Sequence, residues 1–275
     1  MAEPSESWTG YDDGFLGIRV PLPQTLADGE VRELPYLRFT VLLDPVRRLA
    51  VATAVNIDGA TLQDLPRRGE WELDDRVPAD EQTGPAVYVD NDLDRGHLVR
   101  RRDPGWGTVA DAREATAATF HYTNAAPQAS VFNQSKELWL GLEDHVLQYA
   151  DTTDQRISVF TAPVRAPDDP PYRGIGIPRR FWKVAAWTST QPPDAPELAA
   201  AGFVLDQTDL IDPETRTAVA PLGRFRTFQV PIADIERLAG VDLGPLVEAD
   251  VFGRNETARP AAWVPLSAPS EIELG

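Results

Sequence analysis

The sequence predicts an α+β fold, with a central, mainly antiparallel sheet and flanking helices. Three observations predict it. Short runs rich in Val, Leu, Ile, Thr and aromatic residues recur along the chain, bounded by Pro, Gly and Asp, which is the chemistry of strands and turns. Helical spacing of apolar residues is confined to two places. With 275 residues, 42% of them hydrophobic and 25% charged, the chain can bury one large core and is too apolar to be disordered.

Taken in order, residues 1–35 are rich in Gly, Pro and acid and read as an irregular lead-in, leaving 36–275 as a single domain. Leu37–Leu43 and Leu49–Ile57 are apolar runs broken at Asp44-Pro45, which predicts a hairpin. From Thr61 to Gln82 the composition turns charged, with Arg67, Arg68 and Arg76 around a lone Trp71. This is a long surface loop of the kind that carries function. Val87–Val89, Gly96–Arg100 and Phe120–Thr123 are short candidate strands. The best helical signal spans Asn133 to Tyr149, where Leu138, Leu142, Val146 and Tyr149 line one face. Ile157–Thr161, Phe181–Thr188, Phe203–Leu205 and Arg224–Val230 read as strands again. Pro231–Gly240 reads as a short helix, with Pro in its first turn and Gly at its stop.

Composition excludes several chemistries. There is no Cys, hence no disulfide, thiolate nucleophile or Cys-based zinc site. No run of about 18 uncharged apolar residues occurs, so no membrane-spanning helix is expected. The start, Met1-Ala-Glu-Pro-Ser-Glu6, lacks the basic and apolar regions of a signal peptide, which predicts a cytoplasmic location or a non-classical export route. A formal charge of −17 argues, taken alone, against a partner as negative as nucleic acid. That charge is a whole-chain sum, however. Arg95, Arg100, Arg101 and Arg102 fall within eight residues and form a local patch able to bind phosphates on an acidic protein.

Of the three histidines, His145 lies among Glu143 and Asp144 and reads as a solvated helical residue, while His121 reads as a hydrogen-bonded structural one. His97 stands in Asp94-Arg95-Gly96-His97. A glycine there lets the backbone approach another group closely. An arginine beside the imidazole disfavours its protonation and keeps it basic near neutral pH, and the guanidinium fork suits phosphate oxygens. A second cluster concentrates uncharged amides: Tyr122-Thr123-Asn124-Ala125-Ala126-Pro127-Gln128, then Phe132-Asn133-Gln134, then Trp139-Leu140-Gly141-Leu142-Glu143. Such amides either satisfy turn backbone and begin a helix, or serve an ion such as Mg²⁺ that keeps most of its waters.

Together the two clusters resemble the DNA/RNA non-specific endonucleases, the ββα-metal (His-Me finger) nucleases that include endonuclease G. The signature runs from Asp94 to Glu143, with weaker similarity from about Asn56 to Glu236. The resemblance implies a ββα-metal catalytic motif and Mg²⁺-dependent hydrolysis of DNA or RNA with little sequence preference, Mn²⁺ being able to substitute. It implies His97 as general base, Asn133 as the direct metal ligand and Arg95 as a phosphate contact. Asp94 would orient local groups, Asn124 and Gln128 would donate supporting hydrogen bonds, and Arg100, Arg101 and Arg102 would hold substrate. Glu143 matches a carboxylate that organises water at the metal.

Two departures from the family pattern stand out. The family's helix Glu follows the metal Asn by eight residues, but Glu143 follows Asn133 by ten, about 15 Å along a helix and some 80° around it. Glu137, on the face of Asn133, therefore competes with Glu143. The family's upstream arginine stands two residues before a Trp, where this chain has Gly69 ahead of Trp71. Arg68 is the nearest candidate with Arg67 beside it, and Arg76 is the fallback. Nucleic acid is the implied partner, and a nuclease kept in its own cytoplasm needs an inhibitor protein or restricted activation. The alternative function is a catalytically weak relative that binds nucleic acid or protein.

Overall fold

The computed structural model describes residues 8–130, 150, 153–189, 195–211, 226–252, 263–266 and 271–272. Fourteen strands are present among them: β1 (Gln24–Thr25), β2 (Arg32–Tyr36), β3 (Phe39–Asp44), β4 (Leu49–Asp58), β5 (Leu93–His97), β6 (Ala125–Ala129), β7 (Arg156–Pro163), β8 (Pro171–Tyr172), β9 (Ile175–Gly176), β10 (Arg180–Ser189), β11 (Glu197–Asp206), β12 (Arg226–Val230), β13 (Val241–Asp242) and β14 (Val264–Leu266). Helices α1 (Val109–Ala118), α2 (Thr208–Ile211) and α3 (Ile232–Ala239) accompany them. Eight strands form one sheet in the order β14-β12-β11-β10-β7-β4-β3-β2, every neighbouring pair antiparallel. The α+β architecture expected from the sequence is the one found.

Both faces of this sheet are covered, so its central strands are apolar on both sides rather than alternating. One face packs Phe39, Val55, Val159, Phe181 and Phe203 against Leu98, Val99 and Ala126. The other packs Phe160, Trp182 and Val204 against Tyr11, Phe15, Val20 and α3 residues Ile232 and Ile235. The β3–β4 turn is held by Asp44, whose Oδ1 accepts from the Val46 and Arg47 amides at 2.9 Å while Arg48 takes a positive φ of 62°. Helix α3 starts after Pro231 and stops at Gly240 in the left-handed region, as its sequence predicts. Asp250 Oδ2 accepts from the otherwise unpaired Ile232 amide at 2.9 Å. The two outer strands each contain a proline, Pro35 in β2 and Pro265 in β14, where a missing N–H is tolerated.

Several local expectations give way. The stretch expected as an irregular lead-in contains β1 and β2, because Leu34 and Tyr36 bury against β3 and Tyr11, Phe15 and Val20 cover a sheet face. Val87–Val89 is not a strand: Pro85–Val87 is a 3-10 turn. Phe120–Thr123 likewise leads into a 3-10 turn at Tyr122–Asn124, with His121 making only an isolated bridge to Glu72. The strand expected at Gly96–Arg100 lies at Leu93–His97. Helix α1 was unmarked because its buried face is built of Ala112, Ala115 and Ala118, too small to give a periodic apolar signal. The helix expected over Asn133 to Tyr149 lies outside the described residues.

Arg76 is built into the fold. Its guanidinium bonds Asp74 at 2.9 and 2.6 Å and the Pro35 carbonyl at 2.7 Å, and it lies over the Tyr36 ring. Asp74 also accepts from the Tyr36 hydroxyl, which sits 2.6 Å from Thr123 Oγ1. Burial opposes ionisation of Asp74, but the bonds from Arg76 and Tyr36 prevail and hold it below the usual carboxylate range. Asp74→Ala, which removes the acceptor of both partners, is expected to lower stability by about 3 kcal/mol, read as a shifted urea midpoint. An unchanged midpoint would show that the network contributes nothing.

Candidate active site

Strands β5 and β6 form a separate antiparallel ribbon with Asp94 opposite Gln128, Gly96 opposite Ala126 and His97 opposite Ala125. Alternation along β5 sends Arg95 and His97 to one face and Asp94 and Gly96 to the other. Gly96 has no room for a side chain: a Cβ there would stand 2.1 Å from Cδ of Gln128. The Gln128 side chain is buried across that glycine, and neither atom of its amide has a hydrogen-bond partner among the described residues.

Asn124 closes the ribbon. Its Oδ1 accepts from the Val99 amide at 2.8 Å, and its Nδ2 donates to the carbonyls of Val99 and Thr119, both at 2.9 Å. All three bonds go to backbone, so Asn124 fixes the course of the chain leaving His97. Asp94 lies beside Gln128 on the opposite face of the ribbon from His97. Asn133, Glu143, the competing Glu137 and His145 lie outside the described residues.

His97 sits in an aromatic box. Trp71 and Phe120 approach its ring at 4.5 and 4.9 Å between centroids, and they meet each other at 5.4 Å. The Trp71 loop is fixed there by backbone bonds on either side of His121, Glu72 N to Phe120 O and Tyr122 N to Glu72 O. At Gly69, φ is 149°, and a Cβ would stand 2.3 Å from Phe120 Cδ2, so the loop can pass over that ring only as glycine. His97 Nε2 is shielded and has no hydrogen-bond partner among the described residues. Trp71 and Phe120 are thus site residues that sequence reasoning passed over, although a lone Trp in a charged loop was a usable signal.

Burial lowers the His97 pKa first, and the charges of Arg67, Arg101 and Arg100 lower it further, to about 3. The imidazole is therefore neutral across the neutral range. The arginines responsible are not the one expected. Arg95, two residues before His97, turns toward Tyr122, whose hydroxyl it approaches at 3.4 Å, and lies 5.9 Å from the Tyr88 ring centre. Arg67 acts on His97, while Arg68 lines a cleft with Arg113 on the α1 side. Arg101 donates to the Leu65 carbonyl at 3.2 Å, and burial and then Arg102, Arg67 and Arg100 lower its own pKa. A half-buried arginine crowded by three others is a site for an anion. Arg76, held by Asp74, is no part of this group. His121 is structural as expected: Nδ1 lies 2.8 Å from the Ala118 carbonyl.

This arrangement is compatible with taking a proton and holding an anion beside the group that takes it. By NMR titration, His97 is expected to stay neutral far below pH 6.5, protonating near pH 3, and Arg101→Ala should raise that midpoint. A midpoint near 6.5 in the unaltered protein would contradict the burial and the arginine field.

Comparison with known proteins gives three findings. The model of the family described as DNA/RNA non-specific endonuclease matches residues 22–250. A protein of Sinorhizobium fredii (strain NBRC 101917 / NGR234), the uncharacterized protein y4fB, is 38% identical over 277 residues, which is 91% of this chain and 41% of that protein. The chain thus spans less than half the length of that relative. Among solved structures, the chain is similar in fold to one in the crystal structure of an EndoG/EndoGI complex, with a TM-score of 0.58 and 19% identity over 78% of this chain and 86% of that one.

Proposed function

This chain belongs to the DNA/RNA non-specific endonuclease family, and on that premise we propose that it hydrolyses phosphodiester bonds of DNA, RNA or both with little sequence preference. The observation that carries the reading is His97: neutral, boxed by Trp71 and Phe120, with an unpartnered Nε2 in a field of arginines. His97 takes the proton of the attacking water as its oxygen bonds to phosphorus. The bond from phosphorus to the leaving ester oxygen breaks, and that oxygen takes up a proton from solvent water. Arg67, Arg100, Arg101 and Arg102 hold the non-bridging oxygens while negative charge builds on them.

A base with a very low pKa is weakly driven to accept a proton. Substrate corrects this, because the phosphodiester brings a negative charge among the arginines that depress His97. The base therefore strengthens as the anion arrives. Asn124 and Gly96 act indirectly, by fixing the strand that carries it.

The family is metal-dependent. Among the described residues no group of three His, Asp or Glu side chains could hold an ion. A hydrated ion held through a single neutral amide needs no such group, and the Gln128 amide, buried with no hydrogen-bond partner among the described residues, is a neutral polar group left unsatisfied at the ribbon. Asn133 would hold the ion and Glu143 its water; bound, Mg²⁺ would relieve charge on the phosphate oxygens. An inhibitor protein remains a proposed partner for this fold.

Wild-type protein with Mg²⁺ is expected to nick supercoiled plasmid and degrade total RNA, and His97→Ala to lose roughly 10²–10⁴-fold of that rate. Equal cleavage by both proteins would sink the mechanism, and cleavage by neither favours a binding module. EDTA is expected to abolish turnover and Mg²⁺ or Mn²⁺ to restore it. Activity indifferent to EDTA would remove Asn133 from its role.

A further inference from the structure

Arg68 and Arg113 share a cleft of about 280 Å³ that lies beyond the aromatic box, walled by Leu65, Pro66, Gly69 and Ala117. Two guanidinium groups at one cleft repel each other unless an anion lies between them. In a chain with 43 acids against 26 bases, nearby carboxylates could have neutralised them. They are placed otherwise. On α1, Asp111 lies 3.6 Å from Arg38, and Glu114 accepts from Trp8 Nε1 at 2.8 Å. Neither Arg68 nor Arg113 has an ion pair or side-chain hydrogen bond among the described residues. Arg113 and Ala117, four residues apart, present one exposed helix face to the cleft.

The cleft borders the outer wall of the aromatic box. Arg101 holds its wall by donating to the Leu65 carbonyl, and Gly69 lies against the Phe120 ring that packs on His97. A strand whose scissile phosphate lies at His97 would carry its backbone across one ring's breadth into this cleft. We propose that the cleft is a second backbone subsite for polymeric nucleic acid. Arg68 and Arg113 clamp a phosphate neighbouring the scissile one, while Leu65, Pro66 and Ala117 pack against its sugar. This rests on the nuclease reading, and it gives Arg68 a substrate-holding place where the family resemblance implied a catalytic one.

Two measurements test it. Binding of a fluorescent 20-mer, single-stranded or duplex, is followed by anisotropy across a salt series in EDTA. Hydrolysis of the oligonucleotide and of bis(4-nitrophenyl) phosphate, too short to reach the cleft, is followed with Mg²⁺. Arg113→Ala is expected to weaken oligonucleotide binding roughly three- to tenfold and to flatten the salt slope by about 0.7–0.9 for each phosphate it ceases to neutralise. Arg113→Lys should recover much of both. The loss of kcat/KM on the oligonucleotide should exceed any loss on the diester at least about fivefold. A wild-type salt slope in Arg113→Ala, or parallel losses on both substrates, overturns the subsite. If wild type hydrolyses neither substrate yet binds the 20-mer with an Arg113-dependent slope, the cleft stands and the nuclease reading falls.

Discussion

Three hydrogen bonds from one carboxamide hold the working part of this molecule together. Asn124 is fully buried and joins Val99, just past His97, to Thr119 at the end of α1 and to its own position at the start of β6. The ribbon that carries His97 is only two strands wide and separate from the eight-stranded sheet. Two-stranded ribbons are marginal on their own. Asn124 supplies what the ribbon lacks, a rigid tie between its exit, its return and a helix. The Trp71 and Phe120 rings, the arginines after Val99 and the α1 face all take their positions from that tie.

Electrostatically the molecule works by contrast. The chain is strongly acidic, and many of its arginines are paired with carboxylates, as in Arg19–Asp13, Arg32–Glu81 and Arg165–Asp44. The group around His97 is instead set against itself, with Arg67, Arg100 and Arg102 depressing Arg101. An acidic surface repels a polyanion everywhere except where such a group breaks through. On the proposed nuclease reading, contact with the polymer would then be confined to that group.

Much of this was legible in the sequence. The long strands announced themselves because a sheet covered on both faces needs unbroken apolar runs, as in Phe181–Thr188. The Pro231 and Gly240 boundaries of α3 follow from backbone chemistry alone. Asp94-Arg95-Gly96-His97 located the ribbon, and the need for Gly96 proved to be the Gln128 side chain lying across it. What stayed hidden depended on through-space neighbours. Nothing in the order of residues says that Arg67 rather than Arg95 bears on His97, because the reach of the Arg95 side chain toward Tyr122 and the Gly69 turn decide that. Helix α1 was silent because alanine buries without periodic contrast, and β6 because Ala-Ala-Pro-Gln-Ala reads as a turn until it is paired.

The prolines in the outer strands have a consequence for company. Pro35 in β2 and Pro265 in β14 interrupt the row of amide donors along each outer strand of the sheet. A strand from another molecule needs an uninterrupted row of donors and acceptors to add itself to a sheet. Among the described residues, neither margin provides one over its full length. Edge pairing with another strand is therefore disfavoured at the positions of Pro35 and Pro265.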